Sequence, residues 1–298
     1  MNPKIGIVTV TYNSAAVLDD FLASLAVQAF TNWVLYVVDN ASTDATLARM
    51  SQWQLANRSL PSETIANPDN KGVAEGNNQG IAAALHDQCT HILLLNNDTA
   101  FGTNLLQSLL DGLIENKCHM AVPKIMYYDQ PDLIWCAGGY FLKLSPSWVD
   151  HYGRDQKDQT TETHSKEINY APTCCLIAQS DIFRDIGMMD KQYFVYYDDV
   201  DFCYRAGKHS YRMFYLANLK LFHKVSQLTG GESSPFAIRY TMRNRIYFIR
   251  KNFHSPYREV SLLFNFLWML GALVRRREMT RFRIRWNAFG EGFSLSLP

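Results

Sequence analysis

Short apolar runs alternate with amphipathic stretches through the first 120 residues. Residues 4–11 (KIGIVTVT), 33–38 (WVLYVV) and 92–95 (ILLL) have the pattern of strands buried on both faces, and 63–66 is a weaker run. Between the first two, Val17, Phe21, Leu22, Leu25 and Ala26 recur at helical spacing, with Asn13 or Ser14 placed to cap that helix. Further helices are predicted after the turn 40–44 to about Trp53, from near Glu75 to Leu85 after a loop at 67–72, and around 104–116. Strand and helix in alternation predict an α/β fold on a mostly parallel sheet with right-handed crossovers.

The pattern loosens after Val122. Residues 134–142 (IWCAGGYFL), 168–170, 174–178, 211–215 and 219–222 read as short strands with longer loops. A short helix is expected at 180–186 with Ser180 as its cap, and another from Asp198 to about Lys208. From Pro235 the chain reads as basic and helical. Three parts are expected: 1–122, 123–233, and an extension over 234–298.

Composition adds two points. At 298 residues, 47% hydrophobic and 19% charged, the chain is globular, not disordered. Its net charge of +1 hides a split: residues 236–298 carry twelve Arg or Lys against three Glu, and the rest is net acidic by eight. A basic tail of that kind suits an anionic surface. The six cysteines (89, 118, 136, 174, 175, 203) lack CxxC spacing, and no signal peptide precedes the first strand run. Reduced thiols in a cytoplasmic protein are expected.

Polar clusters follow several strands. The run 92–95 stops at Asn96, Asn97 and Asp98, and ligands bind outside the carboxyl ends of strands in such sheets. An isolated NND would be an ordinary turn; the company of other clusters changes its meaning. Asp39 ends the second strand and can accept from ribose hydroxyls or a base N–H. Thr11, Tyr12 and Asn13 stand where a GxGxxG fingerprint would, which argues against a dinucleotide-binding domain. Residues 70–80 (NKGVAEGNNQG) gather three glycines and three asparagines ahead of a helix, allowing close approach to a ligand. Asp98 is the best metal candidate, and His223, ending a late strand, can add an imidazole nitrogen. Asp198, Asp199 and Asp201 open a helix, where acids are common, and Asp201 can pair with Arg205. Three carboxylates in four residues raise at least one pKa, which suits a general base.

These segments, in this order, resemble the family-two inverting glycosyltransferases with the GT-A fold, and most closely rhamnosyltransferase-like enzymes that build bacterial surface polysaccharides. The resemblance spans roughly residues 4–252, through IGIVTVTYNS (5–14), VVDNASTDAT (37–46), NKGVAEGNNQGI (70–81), LLLNNDT (93–99), the stretch 174–205 ending in YYDDVDFCYR, and FHKVSQLTGG (222–231). It implies a Rossmann-like sheet sandwiched by helices. The donor, dTDP-rhamnose or a UDP-sugar, would be held by Thr11, Tyr12, Asn13 and Asp39, by the 70–78 loop through Asn70, Gly72, Gly76 and Asn78, and by Asn96 and Asn97. Asp98, as the last carboxylate of a DXD motif, and His223 would bind Mg²⁺ or Mn²⁺ on the diphosphate. Asp199 would be the catalytic base, with Asp198 beside it. Trp135, Gly138 and Gly139 would shape the pocket for a glycan or lipid-linked acceptor. Three departures stand out: Asn96 replaces the first acid of the DXD, Glu75 sits in a loop that would face phosphates, and Cys174-Cys175 replace smaller residues.

Two other readings compete. A sugar nucleotidyltransferase would want a glycine-rich basic loop after the first strand, and TYNS is not one. A non-catalytic nucleotide- or glycan-binding module would not need the 198–201 carboxylates. Nucleic acid is not an expected partner. Residues 260–274 are mostly apolar but only fifteen long, below the roughly 18–20 needed to span a bilayer. Followed by Arg275, Arg276 and Arg277, they suit either an anionic membrane surface or a homodimer interface.

Overall fold

The computed structural model describes residues 2–143, 145–158, 164–225, 231, 233–276 and 278–298. Residues 226–230 of the 222–231 motif, Arg277 and the side chains of Arg275 and Arg276 lie outside the described residues.

The first part alternates strand and helix: β1 (Ile5–Thr11), α1 (Leu18–Ala26), β2 (Trp33–Asp39), α2 (Thr46–Ala56), β3 (Ser62–Ala66), α3 (Gly72–His86), β4 (His91–Leu95), β5 (Thr99–Phe101) and α4 (Leu105–Glu115). Then come β6 (Met120–Tyr127), β7 (Ile134–Cys136), β8 (Gly139–Leu142), β9 (Ser145–His151), β10 (Lys166–Ile168), β11 (Cys175–Gln179), α5 (Ser180–Asp185), a 3-10 turn (Lys191–Tyr193), α6 (Asp198–Lys208) and β12 (Met213–His223). Three helices follow: α7 (Pro235–Asn252), α8 (Tyr257–Arg276) and α9 (Met279–Ser294).

One mixed sheet runs β10-β12-β6-β11-β4-β1-β2-β3, with β5 on β12 and β7 on β6. The pairs β4–β1, β1–β2 and β2–β3 are parallel, and β11 lies antiparallel between β4 and β6. Because β6 runs across Val122, both expected halves share this sheet. Alternation sends Ile7, Leu35 and Leu93 to one face, under Phe21, Leu25 and Leu109. Val8, Tyr36 and Leu94 face the other way, against Ile81, Phe202 and Ile246. The sheet is thus covered by helices on both sides.

The structure corrects several local expectations. Helix α3 starts at Gly72, so most of the expected donor loop is helix. Gly72 takes a φ of +84° with its N–H bonded to Asn70 Oδ1, and a Cβ there would strike Phe194. A Cβ at Gly76 would lie 2.8 Å from Val10, so this glycine lets α3 press onto β1. Glu75 sits in the first turn of α3, where the helix dipole favours it, and does not line the cleft described below. Neither Asn13 nor Ser14 caps α1: Asn13 Oδ1 accepts from Thr43, and the Ser14 hydroxyl from the Tyr12 N–H. Ser180 is inside α5, with its hydroxyl donating to the Cys89 carbonyl. The run 134–142 is broken into β7 and β8 at Gly138, whose φ is +75°. The two runs between 211 and 222 fuse into β12, with an irregularity between Leu216 and Lys220. Strands β5, β6 and β9 are not anticipated, and the strand expected at 168–170 lies at Lys166–Ile168; Pro123 and Lys124 interrupt the apolar pattern of β6, and buried Lys124 pairs with Asp158. Cys174 and Cys175 are buried where β11 meets β4, and the Cys174 carbonyl accepts from Asn96 N–H.

The basic extension spends much of its charge inward. Lys251 pairs with Asp190 and Asp201, Arg239 with Glu291, and Arg250 donates to the carbonyls of Gly292 and Leu295.

Candidate active site

A cleft of about 930 Å³ opens where β1 and β4 end. Tyr12, Asn70 and Gly72 line it, as do Asn96, Asn97 and Asp98. From the second part come Trp135, Asp198, Asp199 and His223. The extension also contributes, through Phe236, Tyr240, Arg245, Trp268 and Arg285.

Strand pairing explains why Asp98 meets His223. The antiparallel pairing of β5 with β12 sets His223 opposite Thr99, and Lys224 N–H donates to the Asp98 carbonyl. His223 Nε2 then lies 3.2 Å from Asp98 Oδ1. That contact is within ion-pair range without hydrogen-bond alignment: Asp98 Oδ1 and His223 Nδ1 are both buried with no hydrogen-bond partner. Trp135 stands edge-on to His223 and to His151, each at 4.9 Å. No group of three or more His, Cys, Asp or Glu that could hold a metal occurs among the described residues. Asp98 and His223 fit a cation that completes its shell with ligand oxygens and water, as Mg²⁺ often does.

The carboxylate pair opens α6. Asp199 Oδ2 accepts from the Tyr170 hydroxyl at 2.9 Å, and Oδ1 from the Val200 N–H at 2.7 Å. Asp198 is buried, and its Oδ2 has no partner. Burial, then the neighbouring Asp199 charge, pushes the Asp198 carboxyl far above the carboxylate range. Burial raises Asp199 too, and the Tyr170 hydrogen bond opposes it. Both carboxyls are raised, Asp198 further, so a proton shared by the pair favours Asp198. Asp201 turns away from the cleft. It is fully buried and bonded to Tyr193, Arg205, Lys251 and Asn252.

The segment before α6 is strained. Phe194, Tyr196 and Tyr197 have φ values of 63°, 62° and 70°, which cost non-glycine residues free energy and cluster at functional sites. Buried Asn244, on α7, holds them by donating Nδ2 to the carbonyls of Tyr193, Val195 and Tyr196 at 2.8–2.9 Å. Arg243 adds bonds to the Gln192 and Tyr193 carbonyls. The sequence reading missed Asn244, Arg245, Tyr170 and Trp148. Asn244 is flanked by two arginines, and α7 reads in sequence as part of a basic tail.

Other expected site residues lie off the cleft. Thr11 and Asp39 are buried, with Asp39 accepting from the hydroxyls of Thr11 and Ser42 and from Ser42 N–H. Asn13 knits its loop to Ser42 and Thr43. Asn78 exchanges two hydrogen bonds with the Met189 backbone, tying α3 to the segment before α6. Gly76 faces β1, and Gly138 and Gly139 are buried against Ile168 and Tyr170 behind the wall.

The described buried side-chain atoms without hydrogen-bond partners concentrate here. Besides those of Asp98, Asp198 and His223, they include Asn97 Oδ1, Trp135 Nε1 and Trp148 Nε1, all in residues that line the cleft. Native interiors satisfy such groups, so this wall is built for a polar ligand.

Comparison with known proteins agrees with that chemistry. The chain is 24% identical over 248 residues to the N-acetylglucosaminyl-diphospho-decaprenol L-rhamnosyltransferase of Mycobacterium tuberculosis, covering 78% of this chain and 80% of that one. It is 21% identical to the dTDP-rhamnosyl transferase RfbF of Shigella flexneri, over 86% of this chain and 83% of that one. The fold is similar to that of the mannosyltransferase PcManGT from Pyrobaculum calidifontis, solved with GDP-Man and Mn²⁺, at TM-score 0.61, 12% identity, and 100% and 77% coverage. It also resembles S. aureus TarS, at TM-score 0.57 and 18% identity, over 87% of this chain but only 42% of that longer one. The model of glycosyl transferase family 2 matches residues 6–183. On the strength of that match, which covers more than half of its length, the chain belongs to glycosyl transferase family 2.

Proposed function

We propose that the protein is an inverting glycosyltransferase that moves a sugar from a nucleotide-diphosphate sugar, dTDP-rhamnose or a UDP-sugar, to a glycan or lipid-linked acceptor of a bacterial surface polysaccharide. The observation that carries this is a single cleft lined by both the Asp98–His223 pair and the Asp198–Asp199 pair. Two of the relatives are named rhamnosyltransferases, which favours a rhamnosyl donor. Residues 1–233 form the catalytic part, and 234–298 are an extension that completes the cleft.

Asp98 and His223 would hold Mg²⁺ or Mn²⁺, which when bound would act as a Lewis acid on the donor diphosphate. Asn96 and Asn97 flank that position. Asp199, fixed by Tyr170 and the Val200 N–H, accepts the proton of the acceptor hydroxyl as its oxygen attacks the anomeric carbon opposite the diphosphate. Asp198 keeps its proton and leaves the base role to its neighbour. Trp135 offers an aromatic wall at the acceptor side. A nucleotidyltransferase is less well supported, because no glycine-rich basic loop follows β1.

The protein is read as cytoplasmic and peripheral on the membrane. On α8, Val260, Leu263, Phe264 and Leu267 are exposed at i, i+3, i+4 and i+7, one apolar stripe. No described helix is long and apolar enough to cross a membrane. Flotation with anionic vesicles tests the stripe; a concentration-dependent dimer would assign it to a second copy instead.

The function is tested by incubating the protein with candidate nucleotide sugars and Mn²⁺. Release of the nucleoside diphosphate with an inverted anomeric product supports it. Release of pyrophosphate from an NTP and a sugar 1-phosphate would overturn it.

A further inference from the structure

We propose that Arg245 binds a phosphate group of the acceptor. This rests on the glycosyltransferase reading and names the acceptor class: a sugar carrier with a phosphate near its accepting hydroxyl, not a neutral glycan. Arg245 is only 8% exposed, yet it lines the cleft. Its guanidinium lies 3.5 Å from the Trp148 ring and 6.0 Å from that of Trp268. Its Nε donates to the Tyr197 hydroxyl at 2.5 Å, and Tyr197 passes a hydrogen bond on to the Ser147 carbonyl.

No described carboxylate pairs with this guanidinium, and its two terminal nitrogens make no hydrogen bond to a described residue. Several other covered cations have a carboxylate partner, and Arg243 and Arg250 donate from their terminal nitrogens to carbonyls instead. Lys124 pairs with Asp158, Lys251 with Asp190 and Asp201, and Arg205 with Asp201. An arginine stays ionised at any working pH, and a buried charge without a counter-ion is unfavourable. A planar fork backed by an aromatic face matches phosphate oxygens in a bidentate contact. Arg285, over Trp268 at 5.4 Å, adds a second cation to this end of the cleft.

The position favours acceptor over donor. The contacts of Arg245 come from Trp148, Tyr197 and Trp268, none of them in residues 1–122. Arg245 and the carboxylate pair line the same cleft, so an anion held here shares it with the base. The phosphate could belong to a lipid-linked carrier or to a phosphodiester within a glycan.

Calorimetric titration of the full chain tests this, with decyl diphosphate and glycerol phosphate in EDTA, and with UDP and dTDP in Mn²⁺. Decyl diphosphate should bind without metal, and together with the nucleoside diphosphate. Arg245→Gln should weaken it tenfold or more, and Arg245→Lys less, while nucleoside diphosphate affinity changes by less than about twofold. Binding of decyl diphosphate alone assigns a lipid carrier; equal binding of glycerol phosphate assigns the phosphate itself. The inference is overturned if neither phosphate ligand binds in EDTA, if Arg245→Gln leaves binding unchanged, or if wild-type protein exchanges decyl diphosphate one-for-one for the nucleoside diphosphate. That competition needs no variant to fold. Binding of decyl diphosphate with no nucleoside diphosphate bound would sink the donor reading and leave the Arg245 site standing.

Discussion

The side-chain amide of Asn244 donates to the carbonyl of Tyr196 at 2.8 Å, which ties the C-terminal extension to the residues that deliver the carboxylate pair. The same nitrogen reaches the carbonyls of Tyr193 and Val195. Asn244→Ala should lower the melting temperature, since it removes buried hydrogen bonds from these carbonyls, and a buried carbonyl that loses its donor costs about 1–3 kcal/mol; that of Tyr193 keeps its bond from Arg243. It should also cut kcat at least tenfold with nucleoside diphosphate affinity nearly unchanged. A melting shift without a change in kcat would reduce the clamp to a stability element.

Asp199→Asn keeps the size of the side chain and removes the proton acceptor. Turnover is expected to fall by about 10²–10⁴, the range for losing a general base, with donor affinity within about twofold of wild type. Asp198→Asn should cost less, because burial and the Asp199 charge raise the pKa of that carboxyl and favour its neutral form. If the two variants rank the other way, Asp198 is the base.

Tyr170→Phe tests the orientation of the base by pH. The Tyr170 hydroxyl favours the ionised form of Asp199, against burial, which raises its pKa. Its removal raises that pKa further. Activity needs the carboxylate, so the acid limb of kcat/KM should move to higher pH. By linkage, a carboxyl held above its unfolded pKa contributes stability below that unfolded value and loses it as pH rises through the folded one. The window of loss should therefore extend upward in the variant. An unmoved limb would mean that Tyr170 does not act on the titrating group.

Asp98→Asn should leave the fold intact and abolish the metal-dependent part of nucleoside diphosphate binding, measured by thermal shift with and without Mn²⁺. His223→Ala should do so more mildly. Wild-type activity in EDTA would show that the pair works without a cation.

Asp201→Asn should be mainly a stability variant, and a severe one. From sequence, a helix-terminus residue paired with Arg205 predicts a loss of about a kcal/mol or less. In the structure Asp201 is fully buried between two cations, Arg205 and Lys251, and breaking such a group costs roughly 3 kcal/mol or more. Denaturant unfolding measures the difference, and a change below about one kcal/mol would mean the buried network relaxes around Asn.

Local periodicity determined β1, β2, β4 and the helices between them, because a strand or helix buried in a layered sheet shows its period within a few residues. It also determined that Asn96–Asp98 end a strand and that Asp198 and Asp199 start a helix. What it could not determine is which polar side chains would face the cleft. Asp39 and Thr11 satisfy each other, and Asn78 satisfies Met189, through contacts up to 111 residues apart. The pairing of β5 with β12 sets His223 beside Asp98, and only that pairing makes them a site. Asn244 and Arg245 read as part of a basic tail until α7 packs under the strained segment. Burial then sets the protonation of Asp198 and leaves Arg245 facing the cleft, and burial is a property of the assembled chain, since desolvation depends on every element that covers the group.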